Sequence, residues 1–191
     1  MRMVNISIGT KDSFLLNRAV AEVREDHPDL EYRNYDSADL DSDPIMLAEA
    51  LDAVSKADLV TMKVHGDTSF MKRFDNLLSA ITGNGVCALL SCTDECVTDA
   101  YRHLFDGDDT EYDAALTYFT LGGDGNIRSM LLWALGRFDG VEAEVSPPVR
   151  LPAQGLYMPG MENISIDRLT TTASSISIDS NCLSTTSLSQ R

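Results

Sequence analysis

Two short apolar runs, Leu59 to Val64 and Val86 to Ser91, constrain this chain more than any other feature. Val86-Cys87-Ala88-Leu89-Leu90-Ser91 lacks polar alternation, so a strand there is covered on both faces. Each run has neighbours with the three-and-four apolar spacing of an amphipathic helix. Doubly covered strands alternating with helices predict an open, mostly parallel sheet with helices on both sides, an α/β fold of the flavodoxin or Rossmann type.

Taken in order, the pattern is consistent. Val4 to Ile8 reads as a first strand closing at Gly9, and Lys11 to Glu25 as a helix with Phe14, Leu15, Ala19 and Val23 on one side. Leu30 to Tyr35 is a further strand, followed by an acidic turn from Asp36 to Asp43. Pro44 to Lys56 is a helix with Pro44 in its first turn, Asp43 as cap, and a stripe of Met46, Leu47, Ala50, Leu51 and Val54. After the run at Leu59, Thr68 or Ser69 caps a helix through Phe70, Met71, Phe74, Leu77, Leu78 and Ile81, which Gly83-Asn84-Gly85 stops. The second half is helical: Thr93 to Leu104 capped by Thr93, Thr110 to Leu121, and Asn126 to Phe138, the most hydrophobic of the three.

These elements make up an α/β domain over residues 1–145. Pro147, Pro148, Pro152 and Pro159 mark an extended exit segment over 146–161. The Ser/Thr-rich stretch 162–191 reads as a flexible, disordered tail, with pairing of Ile164 to Ile178 as an edge strand the alternative.

Charge narrows the partners. Thirty acidic residues against 15 basic ones give a formal net charge of -15, which repels nucleic acid and anionic membrane surfaces at long range. No apolar stretch reaches the roughly 18 residues of a membrane-spanning helix, and no secretory leader is visible, so a cytoplasmic protein is expected. In that compartment Cys87, Cys92, Cys96 and Cys182 are expected as reduced thiols, although the spacing of Cys92 and Cys96 would bring them together on a helix.

Three stretches bear chemistry. His65-Gly66-Asp67 follows a strand, where ligands of open α/β sheets collect; the imidazole with a nearby carboxylate could be a general base or half of a metal site. Alternatively, Asp67 or Thr68 is a helix cap and His65 is bonded locally. Gly122-Gly123-Asp124-Gly125-Asn126 leads into a helix whose amides could receive an anion, or is a tight interhelical turn capped by Asp124 or Asn126. Lys72-Arg73 could meet ligand carboxylates or form a solvated helix face.

Taken together, Ala57 to Val60, His65-Gly66-Asp67, Phe70 to Asp75, Gly122 to Leu132 and Pro152 to Gly160 resemble the amino-terminal region of the cobaltochelatase large subunit (CobN) and the related magnesium chelatase H subunit. Three landmarks in the same order carry the resemblance, over about Met1 to Met161. It implies an N-terminal module or truncated form of such a subunit, in a system that inserts metal into a tetrapyrrole in an ATP-dependent, ligase-type reaction of cobalamin-type cofactor biosynthesis. Family members continue for many hundreds of residues beyond Pro159, so the resemblance implies a chain that is not catalytic alone. It also implies ATPase subunits or the rest of the large subunit as partners, and a tetrapyrrole as ligand. No cofactor is expected on this chain; cobalt or magnesium and ATP belong to the full complex. The site residues it marks are His65, Asp67 and Asn126, as ligand-binding landmarks, with no catalytic residue carried over.

Overall fold

Strands β1 (Arg2–Ser7), β2 (Glu31–Asp36), β3 (Leu59–Val64) and β4 (Cys87–Cys92) form one all-parallel sheet in the order β2-β1-β3-β4. The computed structural model describes residues 1–8, 10–66, 68–150, 156–158 and 161–164, with the backbone alone for 10–12, 156–158 and 161–164. The helices are α1 (Thr10–Asp26), α2 (Ser37–Ser42), α3 (Pro44–Ser55), α4 (Phe74–Asn84), α5 (Glu95–Ala100), α6 (Asp109–Leu121) and α7 (Asp124–Asp139).

Two cores sandwich the sheet. On one face Met3, Leu59 and Leu89 meet Leu16, Val20 and Val23 of α1, Phe119 of α6, and Met130 and Leu131 of α7. On the other, Val4, Ile6, Val60, Met62, Ala88 and Leu90 meet Leu40 of α2, Val54 of α3, and Phe74, Leu77 and Ile81 of α4. The alternation of side chains along each strand separates the two sets, and both are apolar because both faces are covered.

Helix ends follow local chemistry. Asp43 accepts from the backbone N–H groups of Ile45 and Met46 at 2.8 and 3.2 Å, and Pro44 occupies a first-turn position that needs no donor. Gly85 ends α4 at φ 62°, a left-handed conformation that lets its N–H reach back to the helix carbonyls.

The expected acidic turn from Asp36 to Asp43 is instead the short helix α2. Asp36 caps it through Ala38 N–H at 2.9 Å, and Leu40 is fully buried beneath it. Six residues do not hold a helix alone, so burial of Leu40, on the order of 2 kcal/mol, and the cap, about 1 kcal/mol, decide the outcome. A second difference follows β3: Thr68–Phe70 makes a single 3-10 turn and α4 starts at Phe74, so neither Thr68 nor Ser69 caps it. Phe70 consequently points to solvent while Met71 and Phe74 go inside. Asp94, not Thr93, caps α5, accepting from Cys96 N–H at 2.9 Å; the helix gives way to a 3-10 turn at Arg102–Leu104.

Residues 1–149 form one compact unit, and 150–191 a second. The second contains the antiparallel pair β5 (Leu156–Met158) and β6 (Met161–Ile164). Of the tail expected over 162–191, residues 162–164 belong to β6, and the rest, with most of the alternative edge strand, lies outside the described residues. No helix among the described residues is long and apolar enough to cross a membrane.

Candidate functional site at the carboxyl edge of the sheet

From β1 the chain crosses to β2 on one side, then returns past β1 to lay down β3 on the other. The connections leaving β1 and β3 therefore diverge, which opens a crevice at the carboxyl ends of these two central strands. His65 follows β3 directly and is exposed there. Asp67 lies outside the described residues. Between them Gly66 takes φ 90°, with its amide 3.4 Å from Thr93 Oγ1 and its carbonyl accepting from Cys92 Sγ at 2.7 Å. The turn that carries His65 is thus fastened to the end of β4.

The parallel register stacks side chains into rows on the face beneath α1, α6 and α7. The first, Tyr32, Met3, Leu59 and Cys87, is largely apolar. The second is Asn34, Asn5, Thr61 and Leu89, where Asn5 donates to Asn34 Oδ1 at 2.7 Å and accepts from Thr61 Oγ1 at 2.8 Å. The third, at the carboxyl edge, is Asp36, Ser7, Lys63 and Ser91. Ser7 is bonded to Ser13 of α1 at 2.7 Å, Ser91 lies 3.5 Å from Thr120 of α6, and the Lys63 ammonium stands 5.8 Å from the centre of the Phe119 ring. The opposite face remains apolar along β1, β3 and β4 through Val4, Ile6, Met62, Val64 and Leu90. Polarity therefore rises on one face only and toward one end only. Buried hydroxyls and amides are tolerated because they bond to one another, and the gradient ends in charge at the crevice.

Sequence reasoning missed this gradient. Its signal is the i, i+2 set of each strand, Met3-Asn5-Ser7, Leu59-Thr61-Lys63 and Cys87-Leu89-Ser91, which becomes visible only when the strands are set side by side.

The contact of Thr120 with Ser91 brings the α6–α7 turn to the same edge as His65. Gly122 and Gly123 take φ 62° and 78°, and α7 begins without a side-chain cap, so neither Asp124 nor Asn126 caps it. Asp124 instead pairs with Arg18 of α1. Asn126 is buried: its Nδ2 donates to the carbonyls of Gly122 and Val149, and its Oδ1 accepts from Val149 N–H, each at 2.8 Å. Its amide is committed to the backbone of the exit segment.

Among the described residues, four large apolar side chains are exposed on elements that begin or turn toward this end of the sheet. Phe14 stands near the start of α1, Ile45 at the start of α3, Phe70 on the turn after β3, and Val149 on Asn126. Beside Phe70, the exposed Lys72 directs its backbone N–H toward Asp41 Oδ2 at 3.4 Å, tying this turn to α2. Cys92 is engaged by Gly66 and Cys96 is exposed on α5; among the described residues no three His, Cys, Asp or Glu side chains stand together to hold a metal.

Strand order, parallel register and crevice define an open α/β domain of the flavodoxin type, with a crevice at its switch point. No family model matches the chain, and no curated protein matches its sequence. Among solved structures, the catalytic subunit of cobaltochelatase from Mycobacterium tuberculosis is similar in fold, with a TM-score of 0.59 and 18% identity over 82% of this chain. The chain spans 12% of that subunit's length.

Proposed function

We propose that this chain is a docking or assembly module of a chelatase-type system, which works on a tetrapyrrole together with ATPase subunits and the remainder of a large subunit. One observation carries the reading: most of the chain shares its fold with a small part of a much longer cobaltochelatase catalytic subunit. The landmark stretches His65-Gly66-Asp67 and Gly122 to Asn126 agree with it. The exposed Phe14, Ile45, Phe70 and Val149 suit an edge that meets another macromolecule.

In this reading His65 and Asp67 contact the ligand or partner at the switch point. Asn126 acts from α7 by fixing the backbone of Val149. Metal insertion, the ATP it uses, and the choice of cobalt or magnesium belong to the assembled complex, whose product is of the cobalamin-type cofactor class.

The test combines spectroscopy with co-elution. Purified chain titrated with a metal-free corrinoid, and separately with a porphyrin, is expected to shift the ligand's visible bands, and the chain is expected to co-elute with the ATPase subunits or the remaining large-subunit fragment. Unshifted spectra together with separate elution would overturn the reading.

A second reading is a stand-alone small-ligand-binding or enzymatic domain using His65 and Asp67. The position of His65 directly after β3, at the switch point, favours it. His65→Ala should then abolish binding or turnover of whatever small ligand is found; unchanged turnover removes His65 from the mechanism.

A further inference from the structure

A second concavity lies away from the carboxyl edge. It is a cleft of about 700 Å³ between the last turns of α7 and the segment that follows, within the size range of small-ligand sites. Its aromatic wall is Trp133, stacked on Phe105 with ring centres 6.0 Å apart and planes 14° from parallel. The Arg137 guanidinium lies 5.5 Å from the Phe105 centroid and 6.0 Å from that of Trp133, and donates to Glu111 Oε2 at 2.5 Å. Val141, Ala143 and Val145 form the outer wall, half-buried, while Glu142 and Glu144 between them face solvent. This wall is extended chain without a strand partner among the described residues.

The charges decide what such a cleft accepts. Arg137 is the cation that lines it, and Glu111 already neutralises it. That leaves Asp106, an exposed carboxylate on the rim, and the outward Glu142 and Glu144, on a chain of net charge -15. An anionic ligand would have to enter this field and displace Glu111 from Arg137. A cation meets carboxylates at the rim and the face of an indole on the wall, and both attract it.

We propose that the Trp133 cleft binds a small organic cation, an amine or quaternary ammonium carried on a flat apolar body, with Trp133, backed by the buried Phe105, against the body, Asp106 drawing the charge, and Glu111 keeping Arg137 neutralised. The site is separate from the carboxyl edge and does not rest on the chelatase reading.

Trp133 is the single tryptophan of the chain, so its emission reports directly on the cleft. Full-length protein is titrated with benzyltrimethylammonium, and in parallel with benzyl alcohol and benzoate as neutral and anionic controls. The expected result is a saturable change in Trp133 emission with the cation, at affinity about tenfold above either control, a step in the range of a desolvated cation–π contact. Asp106→Asn and Glu111→Gln are each expected to weaken the cation roughly threefold or more, whereas Glu142→Gln on the outward face changes it less than about twofold. Glu111→Gln also removes the partner of Arg137; Asp106→Asn, at an exposed position, keeps the test open if that variant unfolds. Benzoate or benzyl alcohol binding as well as the cation, no saturable response to the cation, or an equal loss in Glu142→Gln and Asp106→Asn would each overturn the proposal.

Discussion

Asn126 and Val149 are joined in both directions, the amide of one donating to and accepting from the backbone of the other at 2.8 Å each way. Together with the Tyr118 hydroxyl, which donates to Ser146 O at 2.7 Å, this pair holds the segment after α7 against the domain where strand pairing does not. Asn126→Ala should lower the free energy of unfolding by about 1–3 kcal/mol, because buried backbone groups lose their partner. Asn126→Asp should cost at least as much, since it sets a carboxylate against two carbonyl oxygens. Urea midpoints measure both, and limited proteolysis should cut the segment around Val149 first. An unchanged midpoint in both variants would show that the bond does not hold the segment.

Gly83 and Gly85 stand two residues apart and should respond to alanine with opposite signs. Gly83 is helical, and a methyl group added to it meets no atom within 4 Å, so Gly83→Ala should stabilise by roughly 0.5–1 kcal/mol. At Gly85 there is equal space, but φ is 62°, so Gly85→Ala should destabilise by about 1–2 kcal/mol. Thermal melts of the two single variants decide the matter; shifts of the same sign would contradict this account of how α4 ends.

The hydroxyls of Tyr32 and Tyr112 are buried without a hydrogen-bond partner among the described residues. Burial raises the Tyr32 phenol well above its ordinary value, with Arg24 opposing only in part, and burial raises that of Tyr112 as well. The folded protein therefore keeps protons that the unfolded chain releases near pH 10, so the slope of stability with pH is negative there. This contribution is complete below about pH 10 and is lost as pH rises through the folded values. Tyr32→Phe should be neutral or about 1 kcal/mol stabilising at pH 7, and should flatten the alkaline loss. An unaltered alkaline limb in this variant would rule out Tyr32 as its source.

Thiol reactivity should rank by exposure. Cys96 is exposed on α5, whereas Cys87 is buried in β4, where burial raises its thiol against a smaller opposing effect of the Asp106 backbone. A maleimide at neutral pH should label Cys96 rapidly and Cys87 only on unfolding. Peptide mapping over time gives the order, and early modification of Cys87 would contradict its burial.

Much of the fold is legible in the sequence where a single segment contains its own reason. Leu59 to Val64 and Val86 to Ser91 are apolar enough to demand cover, and Asp43-Pro44 is an explicit helix start. The misplaced boundaries have causes outside the segment. Asp36 to Asp43 becomes helical because Leu40 finds a core to enter, and α4 starts late because Met71 and Phe74 are drawn inward while Phe70 is left out. For the candidate site, the place of His65 at a strand end follows from sequence order, but the row Asp36, Ser7, Lys63 and Ser91 does not. Its members come from four strands and meet only through register. Asn126 shows the complementary limit: it reads as a turn residue, and its bond to Val149 spans chain that no local pattern links.

The packing of α1 along α7 has a consequence for biosynthesis. β1 is a central strand and emerges before the other strands of the sheet, yet the helix that completes the cover over its α1 face, α7, follows all four strands. Until α7 emerges, Leu16, Val20 and Val23 of the nascent chain have no such helix to rest on. Arrest at successive lengths should therefore give a protease-resistant core only once the end of α7 has cleared the exit tunnel. Until then the exposed stripe of α1 is the natural landing place for a chaperone.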